Sequence, residues 1–134
     1  MLPAGEACHR RVLVVNDDAP LAESVCRLLR EEDYEARLAL DGEAAMQTFA
    51  EWPADLVVLD LIMPHVDGWR FLECRSRQAS LAQVPVLVWS IGASDELELA
   101  RRLGADACLA RSATSPDQLL DTIATLLTRA DPLR

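Results

Sequence analysis

Five short apolar runs, each followed by an amphipathic stretch, constrain this chain more than any other feature. The runs are Arg11–Asn16, Glu35–Ala39, Asp55–Asp60, Pro85–Ser90 and Ala107–Ala110. Val12-Leu13-Val14-Val15 and Leu56-Val57-Val58-Leu59 carry almost no alternation, the pattern of parallel strands buried on both faces. Between them, Pro20–Glu32 sets Leu21, Val25, Leu28 and Leu29 on one helical face. Glu43–Glu51 reads as a helix stopped by Trp52-Pro53, and Asp67–Arg77 as one with Trp69, Phe71 and Leu72 for packing. Ser94–Leu103 is closed by Gly104, and Pro116–Arg129 opens with Ser115 as N-cap and Pro116 at the first helical position. Five strands and five helices in strict alternation predict an α/β fold, a parallel sheet with helices on both faces joined by right-handed crossovers.

In such a sheet, ligands bind beyond the carboxyl ends of the strands, where strand order reverses. The chemistry-bearing residues sit at those ends. Asn16-Asp17-Asp18 follows the first strand, Asp60 ends the third, Ser90 the fourth, and Arg111 follows the fifth. Carboxylates held close together repel one another and draw in a hard divalent cation. Mg²⁺ prefers oxygen ligands and keeps several waters, which leaves room for a phosphoryl group. With a metal and a cation balancing charge, an Asp carboxylate is placed to attack phosphorus, and a hydroxyl at Ser90 to hydrogen-bond the product. The expected product is an aspartyl phosphate, a local charge change with a distant readout.

Composition narrows the setting. The chain has 134 residues, enough for one domain with a proper core, and we expect a single domain over 1–134 with its core at about 11–129. A net charge of −9 disfavours direct binding to nucleic acid. No apolar stretch approaches the roughly 18 residues that span a membrane, so no membrane partner is expected. Cys8, Cys26, Cys74 and Cys108 are scattered without a CxxC pair, which fits a reducing cytoplasm rather than disulfides or zinc.

With these motifs in order, the sequence resembles the receiver domain of two-component response regulators. The resemblance runs from about Arg11 to Leu127. It rests on Val14-Val15-Asn16-Asp17-Asp18, Asp55–Asp60, Met63-Pro64 with Asp67-Gly68, Pro85–Ser90, Gly104-Ala105-Asp106 and Arg111. It implies a flavodoxin-like sheet of strand order 2-1-3-4-5. It further implies Asp60 as phosphoacceptor, with Ser90 and Arg111 assisting. Mg²⁺ would be held by Asp17, Asp60 and the Ile62 backbone carbonyl, with Asn16 acting through water. The implied partners are a histidine kinase or phosphotransfer protein, and a downstream target or second copy. The latter two would dock on the face of helix 94–103, strand 107–110 and helix 116–129. Few residues follow that last helix, so the chain is expected to be a free-standing receiver or a fragment of a larger regulator.

Several positions depart from the family pattern. Asn16 stands where the first acidic residue usually lies and brings no charge. Arg111 replaces the usual Lys, exchanging a compact ammonium for a planar fork. Ser112 replaces a Pro that commonly follows a cis bond; a cis bond before a non-proline costs about 2.5–4 kcal/mol, so a trans bond and a rearranged loop are expected. Ile91 replaces a small residue and narrows access, and Cys108 replaces the aromatic residue that often reports activation. Asp18 reads as a helix cap or exposed neighbour rather than a ligand, His65 as a surface residue, and the cysteines as small apolar residues. The three tryptophans read as packing groups, with Trp89 adjacent to Ser90 as a potential fluorescent reporter.

Three functions stay open at this point. One is a phosphorylatable receiver that is not itself an enzyme. Another is a degenerate receiver that binds or dimerises without phosphorylation, motivated by Asn16, Ile91, Cys108, Arg111 and Ser112. The third is an Asp-nucleophile phosphohydrolase, disfavoured because Ile62 stands where the haloacid-dehalogenase type needs a second Asp.

Overall fold

A computed structural model describes residues 9–61, 68–91 and 94–130. Asp67, Ile62, Met63, Pro64 and His65 therefore lie outside the described residues, as does Cys8. The elements are β1 (Arg11–Val15), α1 (Ala19–Glu31), β2 (Glu35–Ala39), α2 (Gly42–Glu51), β3 (Leu56–Leu59) and α3 (Gly68–Arg77). Then come α4 (Ala79–Ala82), β4 (Val86–Ser90), α5 (Ser94–Arg102), β5 (Ala107–Ala110), a 3₁₀ turn (Arg111–Ala113) and α6 (Pro116–Ala130). The strands form one parallel sheet in the order β2-β1-β3-β4-β5, as expected. Among the described residues there are six helices rather than the expected five, since α4 is a single turn anchored by buried Leu81.

Side-chain alternation along each strand divides the core in two. Leu13, Val15, Val57, Leu59, Val86 and Val88 face α2, α3, α4 and α5, meeting Phe49, Phe71, Leu72 and Leu81. Val12, Val14, Leu56, Val58, Leu87 and Trp89 face α1 and α6, meeting Val25, Leu29, Leu119 and Ile123. Truncating one such leucine to alanine typically costs about 2–5 kcal/mol, so the central strands are held in place from both sides.

The helix ends are set by local chemistry. Asp18 caps α1, its Oδ1 accepting from the Leu21 N–H at 3.1 Å, and Asp41 caps α2 through the Ala44 N–H at 2.7 Å. Ser115 caps α6 reciprocally: its Oγ accepts from the Gln118 N–H, and Gln118 Oε1 accepts from the Ser115 N–H. Gly104 follows α5 with φ +112°, the conformation its position demanded. The same glycine lets Arg75 pass. The buried Arg75 guanidinium donates to the carbonyls of Val84 and Gly104 and pairs with Asp106 at 3.1 Å. Asp106 also accepts from the Val86 N–H, so one cation ties α3 to the starts of β4 and β5.

Candidate functional site

Four of the expected site residues emerge at the carboxyl edge of the sheet because their strands end there together. The register sets Val15 of β1 beside Leu59 of β3, so the next residues, Asn16 and Asp60, lie alongside each other. The Asp60 N–H donates to the Val15 carbonyl at 2.9 Å and fixes that juxtaposition. Asp60 is 5% exposed and Asn16 2%, so both polar side chains are held in a largely dry edge.

Ser90 is fully buried and donates from Oγ to Asp60 Oδ1 at 2.8 Å. Among the described residues, Asp60 Oδ2 accepts no hydrogen bond. One carboxylate oxygen is thus oriented by Ser90. Gly68 closes the far side. Its N–H donates to the Leu61 carbonyl at 2.9 Å, and a Cβ at this position would collide with the Asp60 carbonyl oxygen and the Leu61 Cα. Only glycine admits this close backbone approach.

Asn16 is occupied with turn geometry. Its Oδ1 accepts from the Asp18 N–H at 2.9 Å, an Asx turn that leads the chain into α1. Asp17 is exposed in the same turn, and Asp18 serves as the helix cap already described. The donor set is hard oxygen: the carboxylates of Asp17 and Asp60, with an uncharged amide between them. Such donors fit a small dication that retains several waters. Among the described residues no three His, Cys, Asp or Glu side chains come together as a metal cluster. Asn16 supplies an uncharged amide at the β1 end, where a carboxylate would supply charge. Ile62, the expected backbone ligand, is outside the described residues.

Arg111 shares the edge but points its charge elsewhere. Its guanidinium carbon lies 5.5 Å from the centroid of the Trp89 ring. Register explains the pairing: Trp89 lies beside Leu109, so Arg111, two residues on, continues the Trp89 face of the sheet. Arg111 makes no ion pair with Asp17 or Asp60 among the described residues. Its Nη1 is buried without an acceptor, as is Trp89 Nε1. The loop beyond takes the 3₁₀ turn Arg111–Ala113 without a cis peptide bond, and Thr114 Oγ1 donates to the Ala110 carbonyl at 2.6 Å.

The remaining departures have clear environments. Ile91 is 66% exposed directly after buried Ser90, an apolar side chain in solvent at the site's margin. Cys108 is half-buried against the α5 side of the core. Burial pushes its thiol pKa up, Arg101 draws it down and Glu98 adds to the rise.

The order of strands and the edge they form define a receiver domain. Residues 12–124 match the family described as the response regulator receiver domain, and the chain belongs to that family of two-component signalling proteins. It is 31% identical over 126 residues to the phosphate regulon transcriptional regulatory protein PhoB of Klebsiella pneumoniae, covering 92% of this chain and 54% of that protein. It is 35% identical over 123 residues to the response regulator MprA of Mycolicibacterium vanbaalenii, covering 91% and 52%. The chain therefore spans about half the length of these curated relatives. Among solved structures, a putative response regulator from Chloroflexus aurantiacus J-10-fl superposes with a TM-score of 0.84 at 26% identity, covering 90% of this chain and 99% of that one. The receiver domain of the Francisella response regulator 1452 gives 0.83 at 25% identity, covering 92% and 100%. Among the described residues no helix is long and apolar enough to cross a membrane.

Proposed function

We propose that this domain accepts a phosphoryl group on Asp60 from a histidine kinase or phosphotransfer protein, and that the acyl phosphate alters what the domain binds. The observation that carries the reading is the buried Asp60 carboxylate, oriented through Oδ1 by Ser90. Oδ2 attacks phosphorus, the bond from phosphorus to the donor nitrogen breaks, and its electron pair leaves with the imidazole. Asp17 and Asp60 would hold Mg²⁺, with the Ile62 carbonyl as a further ligand and Asn16 acting through a bound water. When bound, the metal supplies positive charge to the phosphoryl oxygens. Ser90 Oγ, already at Asp60, is positioned to turn its proton to a phosphoryl oxygen in the product.

Arg111 is assigned as the second cation, completing the charge balance once it reaches the phosphoryl group. The partner surface in this reading is the face of α5, β5 and α6, used by a downstream protein or a second copy. With a net charge of −9, direct contact with nucleic acid is no part of the proposal.

A second reading, a degenerate receiver that binds without phosphorylation, is favoured by one observation: Arg111 rests on Trp89 rather than at Asp60. Incubation with acetyl phosphate and Mg²⁺, read by intact mass, separates the two. A Mg²⁺-dependent gain of one phosphoryl group that Asp60→Asn abolishes supports the first. No gain in a folded protein supports the second.

A further inference from the structure

The Arg111 guanidinium rests on an aromatic face rather than in an ion pair with Asp60. The Arg111 guanidinium lies over the Trp89 indole at 5.5 Å, on the side of the sheet packed against α1 and α6. Ser90, the next residue of β4, is by contrast turned to Asp60. The backbone of β4 thus presents two neighbouring side chains to opposite tasks: one hydroxyl on the acceptor, one ring under the cation. The stacked position suits the guanidinium only in part. A ring face attracts the charge, but Nη1 is buried with no acceptor, and an N–H without a partner in a dry place is costly. A phosphoryl oxygen would satisfy that donor with a charge-assisted hydrogen bond. The ring itself has space to shift, since it borders a groove of about 330 Å³ lined by Leu21, Val25, Leu28, Pro116 and Leu119.

We propose that Trp89 is a positioning residue that holds Arg111 away from Asp60 in the resting domain and releases it when Asp60 carries a phosphoryl group. The proposal rests on the reading of Asp60 as acceptor. It makes the stacked pair a brake on phosphoryl uptake: the cation that would stabilise the incoming charge must first leave the ring. Lysine, a compact and strongly hydrated point charge, would be held less firmly at the same place, so the brake depends on arginine.

Labelling by acetyl phosphate with Mg²⁺, followed in time by intact mass, tests this. Trp89→Leu is expected to label Asp60 about two- to thirtyfold faster than wild type, the range set by loss of one cation–π contact. Trp89→Phe, which keeps a ring face, should fall between them. The gain should vanish in an Arg111→Ala background. Independently of labelling, the Arg111 Nε–H proton of the resting wild type should resonate upfield through the indole ring current and lose that shift in Trp89→Leu.

An ordinary Arg111 resonance in the wild type overturns the proposal. So does a folded Trp89→Leu that labels no faster, or a gain that persists in Arg111→Ala. If no variant labels at all, the acceptor reading fails and this inference with it; if wild type labels and Trp89→Leu changes nothing, the inference alone fails. Should Trp89→Leu not fold, Arg111→Lys makes the same test: faster labelling is expected, and an unchanged or slower rate overturns the proposal.

Discussion

The Ser90 hydroxyl and the Asp60 carboxylate are joined by a 2.8 Å hydrogen bond between two buried side chains on adjacent strands. The contact orients the Asp60 carboxylate through Oδ1. Removing the hydroxyl leaves a buried carboxylate oxygen without its donor, which costs about 1–3 kcal/mol. Ser90→Ala is therefore expected to lower stability by that amount in a denaturant titration, whereas Ser90→Thr, which keeps the hydroxyl, should lose much less. Equal losses in the two variants would mean that packing, not the hydrogen bond, matters here.

Gly68 constrains Asp60 from the backbone side. A Cβ there meets the Asp60 carbonyl and Leu61 Cα, neither of which is the movable end of a side chain. Gly68→Ala is expected to cost about 1–3 kcal/mol through overpacking and to displace Asp60. Its thermal midpoint should fall and its acetyl phosphate labelling with it. A fully stable, fully labelled Gly68→Ala would show that the loop yields easily.

Asn16→Asp restores a third negative group at the β1 end. One added charge at about 4 Å from a dication is worth up to about 8 kcal/mol at an effective dielectric near 20, and solvent reduces this. Mg²⁺ affinity, read by tryptophan fluorescence or calorimetry, is expected to rise roughly tenfold or more. Without Mg²⁺ the variant should be less stable than wild type, because the new carboxylate faces Asp60 across a shared edge. Unchanged affinity would place the metal elsewhere.

Stability should also fall on the alkaline side. Burial raises the pKa values of Cys26 and Tyr34, and of Cys108, with nearby charges as smaller contributions. These acids keep their protons to higher pH in the folded chain than in the unfolded one. Their contribution is complete below the ordinary thiol and phenol ranges and is lost as pH rises through them toward the raised folded values. The urea midpoint is expected to be level near pH 7 and to decline from about pH 8.5 upward. Cys108→Ala should flatten part of that decline; an identical slope would remove Cys108 from the account.

The fold was legible because buried parallel strands write themselves as unbroken apolar runs, and because Asp18, Ser115 and Gly104 mark helix ends by their own chemistry. The α4 turn escaped notice since four residues cannot display a helical period, and only Leu81 reaches the core. Arg75 reads in sequence as one more charge near a helix end. Its acceptors lie at residues 84, 104 and 106, contacts that tertiary structure alone creates, although its spacing from Phe71 and Leu72 does place it on the buried face. The edge residues Asn16, Asp60 and Ser90 were visible as polar groups ending apolar runs. That Arg111 would stack on Trp89 was not, since it depends on the β4–β5 register that sets Trp89 beside Leu109.

The most direct measurement locates the phosphoryl group itself. The protein is treated with acetyl phosphate and Mg²⁺, reduced with borohydride, digested and sequenced by mass spectrometry. Borohydride converts an aspartyl phosphate to homoserine while leaving free carboxylates intact. The account predicts homoserine at position 60, absent without Mg²⁺ and in Asp60→Asn. A phosphoprotein with unreduced Asp60, or homoserine at another aspartate, would contradict it.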